Sequence, residues 1–239
     1  MSEKMHPAEA KRALRKRLAA PGEQEGAGLR CPRFEGEGRA AQRLRGQPEY
    51  RAARVVAVMA EPALLQVRIN CLADKKLLVA GTPGLKQGLV RVSGDQAPLP
   101  SRSRVLRGGS LVTLGAQLHF PQAKLERVDL LVVPAVAADP AGNLVGDGRG
   151  LSDLLAALLA RMGSLGRGFK IVALLDDAQM VEEVPSQAWD AGANLLVTPT
   201  RVLRVERPSP PAPELKGLSG KLVGLPLVQA IRGMKPVTS

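Results

Sequence analysis

The stretch LLVVPAVAADPAGNLVGDGRGLSDLLAALLA, residues 130–160, carries the clearest prediction of the fold. An apolar, β-branched run ends at a proline, and a loop follows in which Gly146, Gly148 and Gly150 alternate with other residues. An apolar helical pattern then begins near Ser152. Glycines let a backbone approach a ligand closely, and a helix N-terminus supplies unpaired N–H groups and the positive end of a dipole. This order is typical of phosphate binding in α/β proteins, although alternating glycines also occur in plain tight turns.

The rest of the chain extends the alternation of strands and helices. Apolar runs predict strands over 54–59, 77–83, 128–137, 169–175, 193–200 and 202–206, and helical patterns cover 8–19, 37–46, 64–73, 152–162 and 224–234. Such alternation predicts a single three-layer α/β/α domain with a mainly parallel sheet. Residues 84–120 are predicted to be irregular, turn-rich connections. We place the domain over 1–207 and expect 208–239 to be a Pro-rich linker and a C-terminal segment that packs on the same domain.

Ligands of parallel sheets bind at the carboxyl ends of the strands. The strand ends at Pro134, Thr82-Pro83 and Thr198-Pro199 are therefore expected to gather around the site.

The chain is strongly basic, with a net charge of +12, but the charge is uneven. Residues 129–200 hold 4 Lys/Arg against 9 Asp/Glu, so the basic excess lies outside the glycine-loop region. A basic surface can attract nucleic acid, or an anionic metabolite such as ATP or a polyglutamylated cofactor. An RNA-reading face usually interleaves aromatic residues with basic ones, and aromatic residues make up only 2% of this chain. A basic RNA-associated module therefore stays a weaker alternative.

Cysteine content and hydropathy bear on the cellular compartment of the protein. Cys31 and Cys71 are too few and too far apart for a zinc site or a disulfide framework. No apolar run reaches the ~18–20 residues that cross a bilayer, so no membrane partner is expected. The N-terminus is charged rather than signal-like. These features predict a cytoplasmic protein, and they leave its oligomeric state open.

Three blocks of sequence carry a resemblance to a known family. They are KRALRKRL (11–18), VDLLVVPAVAADPAGNLVGDGRGLSD (128–153) and AQMVEEVPSQAWDAGANLLVTPT (178–200). In this order they resemble the opening basic helix, the ATP loop and the third conserved segment of the 5-formyltetrahydrofolate cyclo-ligases, also called methenyltetrahydrofolate synthetases. Residues 32–56 and 197–203 are similar to a divergent branch, which includes the methenyltetrahydrofolate synthetase domain-containing proteins.

The resemblance implies an enzyme that uses ATP and Mg²⁺ to convert 5-formyltetrahydrofolate into 5,10-methenyltetrahydrofolate. It assigns ATP contacts, a metal ligand and substrate contacts, and it leaves the catalytic residue unassigned. The ATP contacts are Lys11, Arg15, Gly146, Gly148, Arg149 and Gly150; the metal ligand is Asp153; the substrate contacts are Gln66 and Asp190.

The residues themselves allow structural roles beside these functional ones. Lys11 and Arg15 lie four apart on one helical face, which suits a phosphate site or a solvated basic helix. Asp153 suits Mg²⁺, which prefers carboxylate oxygen, or plain stabilisation of a helix N-terminus, with Ser152 as the N-cap. Asp190 could equally cap or brace a loop, and the same holds for two other family positions, Asp139 and Gln179.

Several positions depart from the family pattern. The changes affect the paired tyrosines and arginine after the glycine loop, the arginine before it, a histidine next to Asp190, and a glutamate after the first long strand. In this chain these positions hold Leu151, Ser152 and Leu154; Leu144; Trp189; and Gln66. Each change removes a polar or stacking contact worth roughly 0.5–3 kcal/mol. Asp147 also places a negative charge inside the loop, which weakens phosphate binding unless a metal or Arg149 neutralises it. These departures favour a second hypothesis, a non-cyclising paralogue that binds a nucleotide or another anionic metabolite.

Overall fold

The computed structural model describes residues 6–18, 31–94, 111–120, 122–187, 190–207 and 220–232. The strands are β1 Val55–Val58, β2 Leu77–Gly81, β3 Leu89–Val92, β4 Ala116–Leu118, β5 Val128–Pro134, β6 Ala137–Ala138, β7 Leu144–Val145, β8 Leu165–Leu174, β9 Leu195–Val197 and β10 Val202–Arg204. The α-helices are α1 Pro7–Leu18, α2 Glu37–Arg45, α3 Pro48–Ala52, α4 Leu65–Ala73, α5 Leu111–Leu114, α6 Leu151–Arg161, α7 Gly220–Val223 and α8 Pro226–Arg232.

Eight of these strands form one sheet in the order β10-β9-β8-β5-β1-β2-β3-β4. The five central strands, from β9 to β2, are parallel, and β3, β4 and β10 add antiparallel edges. Strand β1 is buried along its whole length, and in β5 only Asp129 is partly exposed. Continuous apolar runs of this kind are expected where helices cover both faces of a sheet. The predicted α/β fold with a mainly parallel sheet is confirmed.

The helices lie on both faces of the sheet. Helix α4 connects β1 to β2, and helix α6 connects β5 to β8, in the opposite direction along the strand order. Because parallel crossovers are right-handed, the two helices lie on opposite faces. Helix α2 packs on α4 and so thickens that layer. Further along the chain, α8 buries Leu227, Val228 and Ile231 in the main core.

Helix α1 is attached through a second, smaller core. Cys31 and Val184 form this core together with side chains of the two-stranded β6–β7 sheet. Leu14 and Leu18 of α1 pack against it. This contact holds the basic helix beside the loop that follows β7, and it thereby positions the candidate site.

Several expectations from the sequence need correction. Residues 84–120 contain β3, α5 and β4 in addition to connections. These elements are three or four residues long, too short to show a hydrophobic period, and β3 is held by its pairing with β2. Helix α6 begins at Leu151, with Gly150 as its N-cap, so Ser152 lies inside the first turn. Of the other expectations, the linker at 208–213 lies outside the described residues. Within the described part of the chain, no helix is long and apolar enough to cross a membrane.

Candidate functional site

A cavity of about 270 Å³ opens at the carboxyl ends of β1 and β5, between α1 and the loop 146–150. It is lined by Ala8, Lys11, Arg15, Cys31, Met59, Glu61, Pro134, Leu144, Gly146, Asp147, Gly148, Gly150, Leu151, Ser152, Asp153, Gln187, Asp190 and Ala191. All predicted site residues except Arg149 and Gln66 lie in this lining. Of the three strand ends expected here, only Pro134 reaches the cavity. Thr82 and Thr198 are buried elsewhere, because β2 and β9 lie farther out in the sheet.

Lys11 connects α1 to a segment 179 residues further along the chain. Its Nζ donates to Oδ2 of Asp190 at 2.5 Å, and both side chains are mostly buried, with 9% and 15% exposure. The backbone N–H of Gln187 donates to the same carboxylate oxygen at 2.7 Å. The lysine predicted to meet a phosphate is thus neutralised by a carboxylate within the protein.

Arg15, about one turn after Lys11 on the same face of α1, contacts the glycine loop. Its Nε donates to the carbonyl oxygen of Gly146 at 2.7 Å. Its guanidinium lies so close to Gly148 that a Cβ added there would be 3.4 Å from Cζ. Gly148 has φ +89°, a backbone conformation that favours glycine. Burial lowers the pKa of Arg15, while the charge of Asp147 opposes that shift.

Arg149 and Asp147 are paired within the loop itself. Nε of Arg149 donates to Oδ2 of Asp147 at 2.5 Å, and the backbone N–H of Arg149 donates to Oδ1 of the same carboxylate. The guanidinium also reaches Oε1 of Glu61 at 3.2 Å. Arg149 therefore neutralises the acid inside the loop, but its side chain is tied to two carboxylates rather than lining the cavity.

Asp153 lies in the first turn of α6 and lines the same cavity as Asp190. Its Oδ1 accepts the backbone N–H of Ala191 at 2.8 Å. Burial, with a smaller contribution from the nearby Asp190 charge, raises the pKa of Asp153 to about 6 against the opposing effects of the Ala191 hydrogen bond and the Lys11 charge. The carboxylate thus braces the 190–191 segment and carries a charge that its surroundings disfavour.

Among the described residues, no group of three His, Cys, Asp or Glu is arranged to hold a metal ion. Mg²⁺ usually binds through one or two carboxylates and completes its shell with water and phosphate oxygens. Asp153 and Asp190, which both line the cavity, fit a Mg²⁺ ion that arrives with a nucleotide. They do not fit a resident ion held by protein alone.

Gln66 lies outside the cavity. Its Nε2 donates to Oδ1 of Asn70 on the same helix at 2.9 Å. The residue that reaches the cavity after β1 is Glu61, which is 9% exposed and whose Oε2 has no hydrogen-bond partner. Burial raises the pKa of Glu61. The signal in the sequence was a glutamate three residues after a wholly apolar strand, but the residues between the strand and α4 left its register with the family pattern open.

Arg68 supports that turn from below. It is 1% exposed, and its Nη1 donates to the carbonyl oxygens of Met59 at 2.6 Å and Glu61 at 3.2 Å. This arrangement holds the backbone at the end of β1 and directs the Glu61 carboxylate towards the cavity and Arg149.

Two other family positions act as braces. Asp139 is buried and accepts hydrogen bonds from Asn143 and from the backbone N–H of Val184. Gln179 donates to the carbonyl oxygens of Ala135 and Val136. Neither residue lines the cavity. Trp189 lies outside the described residues.

The charges of the lining are unequal. Two cations, Lys11 and Arg15, face four carboxylates, Glu61, Asp147, Asp153 and Asp190. A polyanionic ligand therefore needs a cation to accompany it, or a rearrangement that releases Lys11 from its carboxylate.

Comparison with known proteins gives the family. The model of the 5-formyltetrahydrofolate cyclo-ligase family matches residues 7–199. The methenyltetrahydrofolate synthase domain-containing protein of Bos taurus is 28% identical over 211 residues, which is 85% of this chain and 55% of the bovine protein. Its counterpart from Homo sapiens is 29% identical over 188 residues, 76% of this chain and 48% of the human protein. The chain thus spans about half the length of these curated relatives.

A solved structure agrees with the fold. The 5,10-methenyltetrahydrofolate synthetase of Aquifex aeolicus superposes with a TM-score of 0.52 at 20% identity, covering 84% of this chain and 94% of that one. At this identity the similarity supports the architecture only. Because the family model extends from α1 to the end of β9 and includes the glycine loop, this chain belongs to the 5-formyltetrahydrofolate cyclo-ligase family.

Proposed function

We propose that the cavity binds ATP together with Mg²⁺ and that the reaction it serves is the ATP-dependent cyclisation of 5-formyltetrahydrofolate to 5,10-methenyltetrahydrofolate. The observation that carries the proposal is the convergence of Lys11 and Arg15, both on α1, with the loop 146–150, more than a hundred residues away in sequence. Two basic side chains, a glycine loop and a helix N-terminus around one cavity form a typical phosphate site.

The phosphates would lie against the loop and the start of α6. The first N–H groups of a helix have no partner within the helix, so those at Leu151 and Ser152 are available to a phosphate oxygen. Arg15, already anchored on Gly146, would add a charge-assisted hydrogen bond. Lys11 would exchange its carboxylate partner for a phosphate, which leaves Asp190 to share the accompanying metal ion with Asp153.

Mg²⁺ would neutralise phosphate charge that the carboxylates of the cavity otherwise repel. This role explains why a cavity with excess acid can accept a polyanion. Glu61, rather than Gln66, would then face the folate, because its buried carboxylate has one oxygen free to accept an N–H of the ligand.

A second candidate function is nucleotide binding without cyclisation. It is favoured by Leu151 and Ser152, which stand where the family has aromatic residues and so remove a stacking surface. It is also favoured by the pairing of Lys11 with Asp190.

The experiment combines two measurements on the full chain. MgATP binding is measured by calorimetry, and the protein is then incubated with MgATP and 5-formyltetrahydrofolate while the methenyl product is followed by absorbance. Binding with product supports cyclisation, binding without product supports the second candidate, and no binding contradicts both.

Arg15→Gln is the informative variant, and Arg17→Gln is its control. Arg17 lies on the same helix but is exposed. Loss of one charge-assisted hydrogen bond of about 1.5–3 kcal/mol weakens MgATP binding by roughly 10- to 100-fold in Arg15→Gln. The Arg17→Gln variant should bind as the parent does. Equal affinities in both variants would remove Arg15 from the site.

A further inference from the structure

The edge of the sheet opposite the cavity carries a row of exposed cations. Arg54 directly precedes β1, Lys75 precedes β2 and Arg127 directly precedes β5. Arg167 is the third residue of β8. All four side chains are exposed. Since they stand where parallel strands begin, they lie at the amino ends of the strands; we call this row the amino-end edge.

Strand register places these residues side by side. Val55 of β1 pairs with Leu77 of β2, Val56 pairs with Leu130 of β5, and Leu130 pairs with Lys170 of β8. Neighbouring strands lie about 4.8 Å apart, so the row extends over four strands and roughly 15 Å. Strand β5 runs from Val128 to Pro134, which separates this edge from the cavity by about 20 Å.

The positive charge of the amino-end edge exceeds the negative charge beside it. Among the described residues, no carboxylate lies within ion-pair distance of the side chains of Arg54, Lys75, Arg127 or Arg167. One acid lies among them: Asp129, whose Oδ2 accepts the backbone N–H groups of Arg54 and Val55 at 2.7 and 3.0 Å. Its single negative charge leaves the four cations in excess. The other acids beside the row each have a basic partner: Asp74 with Arg45, Glu49 with Arg204, and Glu126 with Arg91.

An open depression of about 480 Å³ adjoins the row and is lined by Gln42, Arg45, Gly46, Tyr50, Arg51, Asp74 and Lys76. Lys76 is buried, and its Nζ donates to the carbonyl oxygen of Ala53 at 2.6 Å while lying 4.7 Å from the centre of the Tyr50 ring. Arg51 on its rim is exposed. Three cations against one carboxylate make this depression a second place on the same edge where a phosphate is favoured.

We propose that the amino-end edge binds the phosphate backbone of a nucleic acid. Arginine dominates the row, and its planar guanidinium matches phosphate oxygens in a bidentate manner. A membrane surface is a poorer match, because anchoring usually needs exposed large apolar side chains, and the exposed apolar residues next to the row are Ala52 and Ala73. Tyr50 is buried, so bases have little to stack on and the binding is independent of sequence.

The test titrates the full chain into fluorescently labelled single-stranded RNA of about 20 nucleotides, with DNA of the same sequence and a duplex as parallel arms. The triple variant Lys75→Gln, Arg127→Gln, Arg167→Gln is compared with a control that loses the same charge elsewhere. This control changes three other exposed cations, Arg17→Gln, Lys86→Gln and Arg232→Gln.

The edge variant should bind RNA at least 10-fold more weakly than the control. Its plot of log binding constant against log salt should be shallower by about 2, since each lost phosphate contact on a single strand contributes about 0.7. Its MgATP affinity should equal that of the parent chain, so the result is independent of the function proposed for the cavity. Far-ultraviolet circular dichroism and melting confirm that both variants fold.

Three outcomes would overturn the proposal. Equal weakening in the edge and control variants would show that net charge alone attracts the nucleic acid. Failure of the parent chain to bind any of the three nucleic acids at moderate salt would show that the edge is not a nucleic-acid site. Tighter binding to phosphatidylserine vesicles than to RNA would assign the edge to a membrane surface.

Discussion

Replacement of Asp153 by asparagine should make the protein more stable at neutral pH. Burial raises the pKa of this carboxyl from 3.8 to about 6. Between these two values the folded chain keeps a proton that the unfolded chain releases, so stability falls as the pH rises through this window. Above this window, the folded chain bears the full unfavourable free energy of keeping the buried carboxyl ionised. Two pKa units correspond to about 3 kcal/mol, and some contact with solvent reduces the expected gain in Asp153→Asn to about 2–3 kcal/mol at pH 7.

Asparagine suits this test because it keeps the geometry. Its Oδ1 can still accept the N–H of Ala191, and only the charge is removed. The assay is urea unfolding of parent and variant at pH 7 and at pH 4, where the difference should be almost gone. The matched control is Asp74→Asn: the hydrogen bond from Arg45 holds the pKa of Asp74 below its usual value. That variant should therefore lose stability at pH 7, and the loss should disappear as the pH falls through the lowered pKa.

Asp153→Asn also tests whether Asp153 is a ligand of Mg²⁺. If Asp153 shares Mg²⁺ with a nucleotide, Asp153→Asn gains stability and loses MgATP affinity together, a trade-off common at functional sites. A variant that is neutral or less stable at pH 7 would refute the electrostatic reasoning. A stabilised variant with unchanged MgATP affinity would refute the metal role alone.

Three further predictions concern the attachment of α1, the loop and the core. Lys11→Met and Asp190→Asn should each lower the free energy of unfolding by about 2–4 kcal/mol, because each leaves a mostly buried charge unpaired. The double variant should lose clearly less than the sum of the two single losses, and additive losses in urea unfolding would show that the pair is not coupled. Gly148→Ala should lower the free energy of unfolding by about 1–2 kcal/mol and weaken MgATP binding. Gly146→Ala, where an added Cβ meets nothing within 4 Å, should change stability little. Equal effects of the two substitutions in thermal melting and calorimetry would contradict the different roles given to these glycines. Leu155→Ala, at a position with no exposure in α6, should cost about 2–5 kcal/mol in urea unfolding, and a loss below 1 kcal/mol would mean that the helix packs less tightly than described.

The parallel core of the fold could be predicted because its signals are local. Continuous apolar runs over 130–134 and 55–58 predict buried strands, and the helices follow from their hydrophobic period and from capping glycines such as Gly46 and Gly163. The short edge strands β3 and β4 could not be predicted in this way. Three or four residues show no period, and such strands form because a neighbouring strand offers unpaired backbone groups.

The same distinction between local signals and long-range contacts applies to the candidate site. The sequence by itself predicted which segments meet at the candidate site: the basic helix with Lys11 and Arg15, and the loop 146–150. Only the tertiary structure decided that Lys11 pairs with Asp190, 179 residues away, and that Glu61 reaches Arg149 across 88 residues while Gln66 does not line the cavity. The tertiary structure also placed the acid-rich cavity and the basic amino-end edge at opposite ends of the parallel strands. The physical reason is that propensity and hydrophobic period act between near neighbours, whereas ion pairs and burial depend on which distant residues the fold brings together.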